Sequence, residues 1–346
     1  MYSPVSSLFH AYKRTNMKKT LQYLFDYKTL THQQAYDVLM EISDGKYNEH
    51  EITAFMTVFL MRSITIEELA GFRDALLELC VKVDFNGLET LDIVGTGGDG
   101  KNTFNISTLS CFIVAGTGQK VAKHGNYGAT SVSGSSNVME QIGYKFSNDN
   151  AKLYKELVET NICFLHAPLF HPALKAVGPI RKNLGVRTFF NMLGPMVNPA
   201  KPKYQLVGVY NLEMARIYNY LLQKSENPFT IIHALDGYDE IALTGDTKVI
   251  TEKGEKVWSA VQLGKRIVYP DDITGGDTVE DAAAIFLKII KGQGTWSQNA
   301  VVLANAAMAL YSTGQFKEYD DAYNAAVDSL EVGKAYNTLQ NILTLQ

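Results

Sequence analysis

The residues best able to do chemistry fall in four short stretches. GTGGDGKNT (95–103) places Asp99 among four glycines, Gly95, Gly97, Gly98 and Gly100. Such a loop exposes backbone N–H groups, and with a helix beginning at NIST (105–108) it favours a bound anion. Asp99 would repel a phosphate, so its carboxylate makes sense on ribose hydroxyls or on a metal beside the phosphates. KHGNYGATSVSGS (123–135) adds Lys123, small residues and hydroxyls; a lysine neutralises phosphate as a point charge. DGYDE (236–240) sets Asp239 and Glu240 side by side just after a strand-like run. Adjacent carboxylates there suit Mg²⁺, which takes one or two carboxylates plus substrate phosphates; a plain acidic turn is the blander reading. His171, Arg181 and Arg187 stand in a proline-rich stretch, and cations on rigid backbone suit recognition of a carboxylate or phosphate. For each arginine alone, an interdomain salt bridge is the competing reading.

Two familiar glycine patterns come close and both fail. Gly95, Gly97 and Gly100 satisfy GxGxxG, but a dinucleotide fold wants an acidic residue about 20 positions further on to hold the ribose. That region reads KVAK (120–123). GTGGDGKN (95–102) nearly satisfies the P-loop pattern, yet Asn102 stands where the Mg²⁺-binding hydroxyl belongs. What survives is a strand running into a glycine loop and then into a helix start.

The elements that must position these groups read in two styles. Residues 17–80 carry helical periodicity, with capping-box pairs Thr31/Gln34, Asn48/Glu51 and Thr65/Glu68. The helix after Asn48 is apolar over more than one stripe, which predicts burial on two sides: within its own bundle, or against a second domain or subunit. From about residue 90 strands alternate with helices. Strand candidates are 91–94, 119–122, 204–209, 229–234 and 248–251; helices fall near 136–142, 150–160, 211–224, 279–291 and 297–313. That alternation indicates an α/β layer. Six of the nine prolines lie between Pro168 and Pro202, so this stretch is neither one long helix nor a central strand. It reads as an ordered crossing segment between two domains.

Bulk composition narrows the class further. The chain has 346 residues, 46% hydrophobic and 20% charged, which excludes bulk disorder and fits one large or two medium domains. A net charge of -4 argues against a dedicated nucleic-acid binder. The three cysteines, Cys80, Cys111 and Cys163, form neither a disulfide framework nor a zinc pair, which reads as a reducing, cytoplasmic setting. No apolar run reaches the about 18 residues of a membrane span. Residues 1–16 read as an extension expected to be disordered.

The set GTGGD (95–99), NIST (105–108), KHGN (123–126), HPALK (171–175), RKNLGVRTFFNMLGPMVNP (181–199) and DGYDE (236–240), in this order, resembles the anthranilate phosphoribosyltransferases of tryptophan biosynthesis. The resemblance runs from about Met17 to the end, and KHGN with the LGP segment is its most specific part. It implies a small all-helical domain (17–86 and 168–200) and a larger α/β domain with a central, mostly parallel sheet (87–167 and 201–346). It implies transfer of phosphoribosyl from 5-phosphoribosyl 1-diphosphate to the amino group of anthranilate, with Mg²⁺ as cofactor and a homodimer formed through the helical domain. By motif, Gly95, Gly98, Asp99, Thr103, Asn105, Ile106, Ser107 and Thr108 would hold the phosphoribosyl diphosphate, with Lys123, Ser131 and Ser135. Gly95, Asn126, His171 and Arg181 would line the anthranilate site, with His124 along its path. Ser107, Asp239 and Glu240 would serve the metal. No residue is expected to form a covalent intermediate or act as an essential acid or base; Lys123 and His124 would position.

The chain departs from the family pattern directly after KHGN. Many relatives carry Arg-Ala or Arg-Ser there, whereas this chain has Tyr127-Gly128. Two rival readings share the fold. A pyrimidine nucleoside phosphorylase should lack the KHGN and LGP set, and a non-catalytic nucleic-acid-binding paralogue should have lost Asp239 and Glu240 and gained a basic surface.

Overall fold

The computed structural model describes residues 16–128, 132–225 and 227–346. The extension read at 1–16 therefore lies outside the described residues except for Asn16, which caps the first helix through its side chain. The chain divides into two compact units. The smaller comprises 16–79 and Ala173–Phe189; the larger comprises Cys80–Pro172 and Phe190–Gln346.

The smaller unit is helical: Met17–Phe25, His32–Ser43, Glu49–Met61, Ile66–Leu79 and Ala173–Leu184. The caps read from sequence form as reciprocal pairs at Thr31/Gln34 and Asn48/Glu51. At Thr65/Glu68 the pair does more. The fully buried Glu68 carboxylate also accepts from the backbone of Leu30 (2.9 Å) and from both terminal nitrogens of Arg62 (2.9 and 2.6 Å). Burial pushes this acid up, but Arg62 and the N–H groups of Thr65 and Leu30 outweigh it and hold the group below its usual range. Phe55, Phe59, Phe72 and Phe189 make the aromatic centre, with Phe72 stacked on Phe189 at 4.5 Å. Within this unit the helix Glu49–Met61 buries Ile52, Phe55, Met56, Val58 and Phe59 but leaves Leu60 and Met61 exposed. Most of its apolar surface is thus buried, and only its last two apolar residues are left uncovered.

The larger unit is built on one seven-stranded sheet: β1 (Leu91–Gly95), β2 (Val121–Gly125), β3 (Ile162–His166), β4 (Tyr204–Gly208), β5 (Phe229–Ala234), β6 (Thr247–Thr251) and β7 (Gly254–Trp258). Their spatial order is β3-β2-β1-β4-β5-β6-β7, parallel from β3 to β5 and antiparallel at β6 and β7. The helix Ile106–Gly116 is apolar nearly all round and buried on all sides, as such a helix must be. The helix Trp296–Ser312 shares its core. Sequence patterning missed β3, a short, wholly buried run with no alternation to mark it. It also missed β7, an exposed edge strand carrying Glu255 and Lys256, and the two final helices, Tyr319–Glu331 and Lys334–Thr344. Among the described residues no helix is long and apolar enough to cross a membrane.

Segments flanking the crossing pack with the larger unit rather than with the helices, where the sequence placed 80–86, 168–172 and 190–200. Val81 N–H donates to Phe170 O at 2.8 Å, and Phe85 joins Leu153, Leu157 and Phe170 in a separate apolar cluster. The proline-rich stretch contains a twelve-residue helix, Ala173–Leu184, with Pro179 inside it, followed by short turns at Phe190–Leu193 and Gly194–Met196.

Parallel strands deliver their carboxyl ends to one edge, where open α/β sheets place ligands. Here Gly95 of β1 pairs with Gly208 of β4. A Cβ on Gly208 would fall 1.5 Å from the carbonyl oxygen of Asp239, so only glycine lets the Asp239 backbone lie against β4. Gly208→Ala should destabilise the fold by at least about 1–3 kcal/mol, read as a lowered urea midpoint; an unchanged midpoint would show that this loop can move away at no cost.

Candidate active site

The four stretches singled out by chemistry meet in part. β1 ends in Gly95, and the loop behind it takes left-handed backbone at Gly97, Gly98 and Gly100 (φ 63°, 77° and 75°), which L side chains rarely adopt. This turns Gly97 N–H onto the Asp239 carboxylate at 2.7 Å. Gly95 leaves room beside it: a Cβ there would sit 2.4 Å from Asp239 Oδ2, and the carboxylate would have to shift. Asp99 Oδ1 accepts from Lys101 N at 2.9 Å and shares a hydrogen bond with Asp239. Glu240 accepts the first-turn N–H of Ser107 at 3.0 Å. That N–H was expected to face an anion; in the structure a carboxylate already takes it.

Asp99, Asp239 and Glu240 therefore form one acidic group, with Asp239 buried and Asp99 and Glu240 half-buried at its edge. Burial raises Asp239 to about 7, with Asp99 adding to the shift. Glu240 is pushed well above the usual carboxylate range by burial and by both aspartates, and Asp99 is raised, chiefly by burial. Among the described residues no three metal-ligating side chains converge into a preformed cage. The group suits a cation that takes only one or two carboxylates and completes its shell elsewhere, as Mg²⁺ does.

Lys123, at the centre of β2, is 2% exposed. Its ammonium donates to Ile93 O at 2.6 Å and lies 3.4 Å from Ser107 Oγ. It stands close enough to Asp92 and Glu240 to favour their charged forms. Asp92, fully buried in β1, is raised to about 6 by burial, opposed by Lys123, by the Asn198 amide (2.8 Å) and by His124 N–H (3.2 Å). Sequence reasoning gave no role to Asp92 or Asn198. An acid inside the apolar run LDIV was the available signal.

His124 follows on β2. Its Nδ1 lies 3.0 Å from Gly194 O, an acceptor only, so Nδ1 carries the proton and Nε2 the lone pair. Burial, then the neighbouring His171, pulls its pKa down to about 3, so the ring is neutral. Nε2 is buried without a hydrogen-bond partner. The His124 and His171 rings stand edge to face, 5.1 Å apart.

The remaining expected residues divide. Ser135 Oγ donates to Asn126 O at 3.3 Å, and Asn105 does not cap its helix but donates to Ser133 O at 3.1 Å, tying the two loops together. Thr103 bridges to Thr274, and the Ile106 side chain is core while its N–H donates to Phe104 O at 2.6 Å. Thr108 is buried with its hydroxyl unpartnered. Ser131 lies outside the described residues. Arg181 and Arg187 belong to the smaller unit; Arg181 is half-buried on the helix Ala173–Leu184, and Arg187 is exposed just after it. Tyr127 offers no cation: its hydroxyl donates to Glu140 at 2.8 Å and its ring packs on His166.

Two family models match the chain. Residues 18–80 match the glycosyl transferase family's helical bundle domain, and residues 87–336 its a/b domain. The class is thus a two-part glycosyl transferase, with a helical bundle and an α/β layer. The chain is 54% identical over 329 residues to an anthranilate phosphoribosyltransferase of Christiangramia forsetii, covering 95% of this chain and 99% of that one. A crystal structure of anthranilate phosphoribosyltransferase from Thermus thermophilus superposes with a TM-score of 0.87 at 29% identity, covering 94% and 98% of the two chains. The Saccharomyces cerevisiae enzyme, solved in complex with PRPP and Mg, shares the fold at 24% identity and a TM-score of 0.87, covering 95% and 97%. The chain belongs to the anthranilate phosphoribosyltransferase family.

The close fit of Gly95 against Asp239 can be tested directly. Gly95→Ala should displace that carboxylate and lower turnover by about 100-fold, while the thermal midpoint moves by only a few degrees. Steady-state rates beside a melting curve check this; unchanged turnover would mean the carboxylate need not stand there.

Proposed function

We propose that this chain transfers the phosphoribosyl group of 5-phosphoribosyl 1-diphosphate to the amine of anthranilate, releasing pyrophosphate and N-(5-phosphoribosyl)anthranilate, as a step of tryptophan biosynthesis. The observation that carries the residue-level reading is the acidic group Asp99–Asp239–Glu240 beneath a glycine loop that only glycines can form. Asp239 and Glu240, with Ser107 beside them, would hold Mg²⁺, and Asp99 would face the ribose hydroxyls. When bound, Mg²⁺ supplies positive charge beside the diphosphate. The glycine-loop backbone (Gly95, Gly98), Thr103, Asn105–Thr108 and Ser135 would hold the phosphoribosyl diphosphate. Lys123 acts from within, balancing Asp92 and Glu240.

In the reaction the amine nitrogen bonds to C1 of the ribose as the C1–oxygen bond to the diphosphate breaks. The bonding pair leaves with pyrophosphate and the amine gives up a proton. Preorganised N–H donors stabilise the departing charge. An aromatic amine is weakly basic, so positioning does most of the work. Neutral His124 would act by position, its ring held by Gly194 O beside His171; by the family resemblance Asn126 and His171 would line the anthranilate site and Arg181 would take the anthranilate carboxylate. Pairing of two chains through the smaller unit belongs to the same reading. It is supported by large apolar side chains left exposed there: Phe25 (60%), Tyr27 (87%) and Met61 (83%). Three buried cysteines, none in a disulfide, accord with a cytoplasmic setting.

Mixing the chain with Mg²⁺, 5-phosphoribosyl 1-diphosphate and anthranilate should consume anthranilate fluorescence, and excess EDTA should stop the decay. Steady fluorescence with all three present would sink the reading. Arg181→Ala should raise the KM for anthranilate by roughly 10–100-fold, the equivalent of one charge-assisted hydrogen bond, with little change in the KM for the phosphoribosyl donor. An equal rise in both would remove Arg181 from the carboxylate role.

A further inference from the structure

The helix Ser135–Gln141 follows the 123–135 loop, and its inner side chains reach back to the loop's first half. Asn137 Oδ1 accepts two backbone N–H groups, those of Gly128 and Gly134, each at 3.0 Å. Both partners are donors, so the atom there must be the amide oxygen. One side chain thus ties together two points six residues apart. The chain at this neck is packed so closely that Gly134 can be nothing else: a Cβ would lie 2.2 Å from Gly128 N and 2.8 Å from Asn126 O. Asn126 O in turn accepts Ser136 N–H at 3.2 Å and Ser135 Oγ at 3.3 Å. Three residues after Asn137, on the same helix face, Glu140 accepts the Tyr127 hydroxyl at 2.8 Å.

We infer that Asn137 is a positioning residue for catalysis: its amide oxygen clamps the neck of the 123–135 loop and so places Asn126 and Ser135 against the two substrates. Tyr127 serves the same clamp through Glu140. Asn137 acts through the backbone it holds rather than as a ligand of either substrate. The inference rests on the reading of this loop as substrate-binding. Gly134 gives it a second, independent support, since the close approach exists only if the neck stays shut.

Asn137→Leu keeps the size and removes the acceptor; Asn137→Asp keeps an acceptor for both N–H groups. In the full-length chain, Asn137→Leu should speed exchange of the Gly128 and Gly134 amide protons by at least about tenfold. It should also raise the KM for 5-phosphoribosyl 1-diphosphate by about tenfold or more. Asn137→Asp should restore both to within about threefold. A purely structural role would instead lower the melting temperature of Asn137→Leu and leave the KM of the folded fraction unchanged, which would overturn the inference. Unaltered exchange at Gly128 and Gly134 would overturn the clamp itself. A wild-type chain that binds no 5-phosphoribosyl 1-diphosphate in the presence of Mg²⁺ would overturn the loop reading beneath it, whatever the amides do, so the two failures are told apart.

Discussion

The larger unit's site depends on one constraint: the Asp239 carboxylate is buried, and backbone must come to it. Gly97 N–H reaches it at 2.7 Å because the 95–100 loop turns through left-handed conformations. Gly95 and Gly208 leave room for the oxygen and for the Asp239 backbone. Side chains on either glycine would close that space. The strand ends, the glycine loop and the acidic turn are thus one object, held together by a carboxylate that would otherwise be costly to bury.

That burial accumulates charge that must be balanced. Asp92, Asp99, Asp239 and Glu240 all sit where their charged forms are disfavoured. Lys123 is the cation set among them, itself buried and directed onto Ile93 O and Ser107. A buried ammonium is stable only with such company. Two of the acids remain poised against each other, Asp239 with Asp99, and a divalent cation relieves such a pair. The neutrality of His124 has the same origin, since burial and its neighbours leave no room for a further positive charge.

Asn198 shows how the scaffold reaches this cluster from outside it. Its amide donates to Asp92 and to Ala122 O, and its oxygen accepts Ala200 N–H. It thereby joins β1, β2 and the chain that leads into β4. Asn137 does the corresponding work for the next loop. In both cases a neutral amide side chain ties down irregular backbone beside the sheet: Asn198 holds Ala200 on the way into β4, and Asn137 holds Gly128 and Gly134 after β2.

Local pattern determined much by itself. The capping boxes at Thr31 and Asn48, the strands at 91–94 and 229–234, the glycine clustering and the adjacent Asp239 and Glu240 depend on neighbours within a few residues, so spacing exposes them. Periodicity could not find β3, whose buried run lacks alternation, nor β7, whose charges suit an edge that only the sheet defines. Nor could it show that Ser107 N–H would meet Glu240 across 133 positions, that the Ile106 side chain would be core, or that Lys123 would face inward. Sequence specified which residues could carry charge and which could bend sharply. Only the tertiary structure decided which of those charges would be buried together, because burial and pairing depend on partners far apart in the chain and close in space.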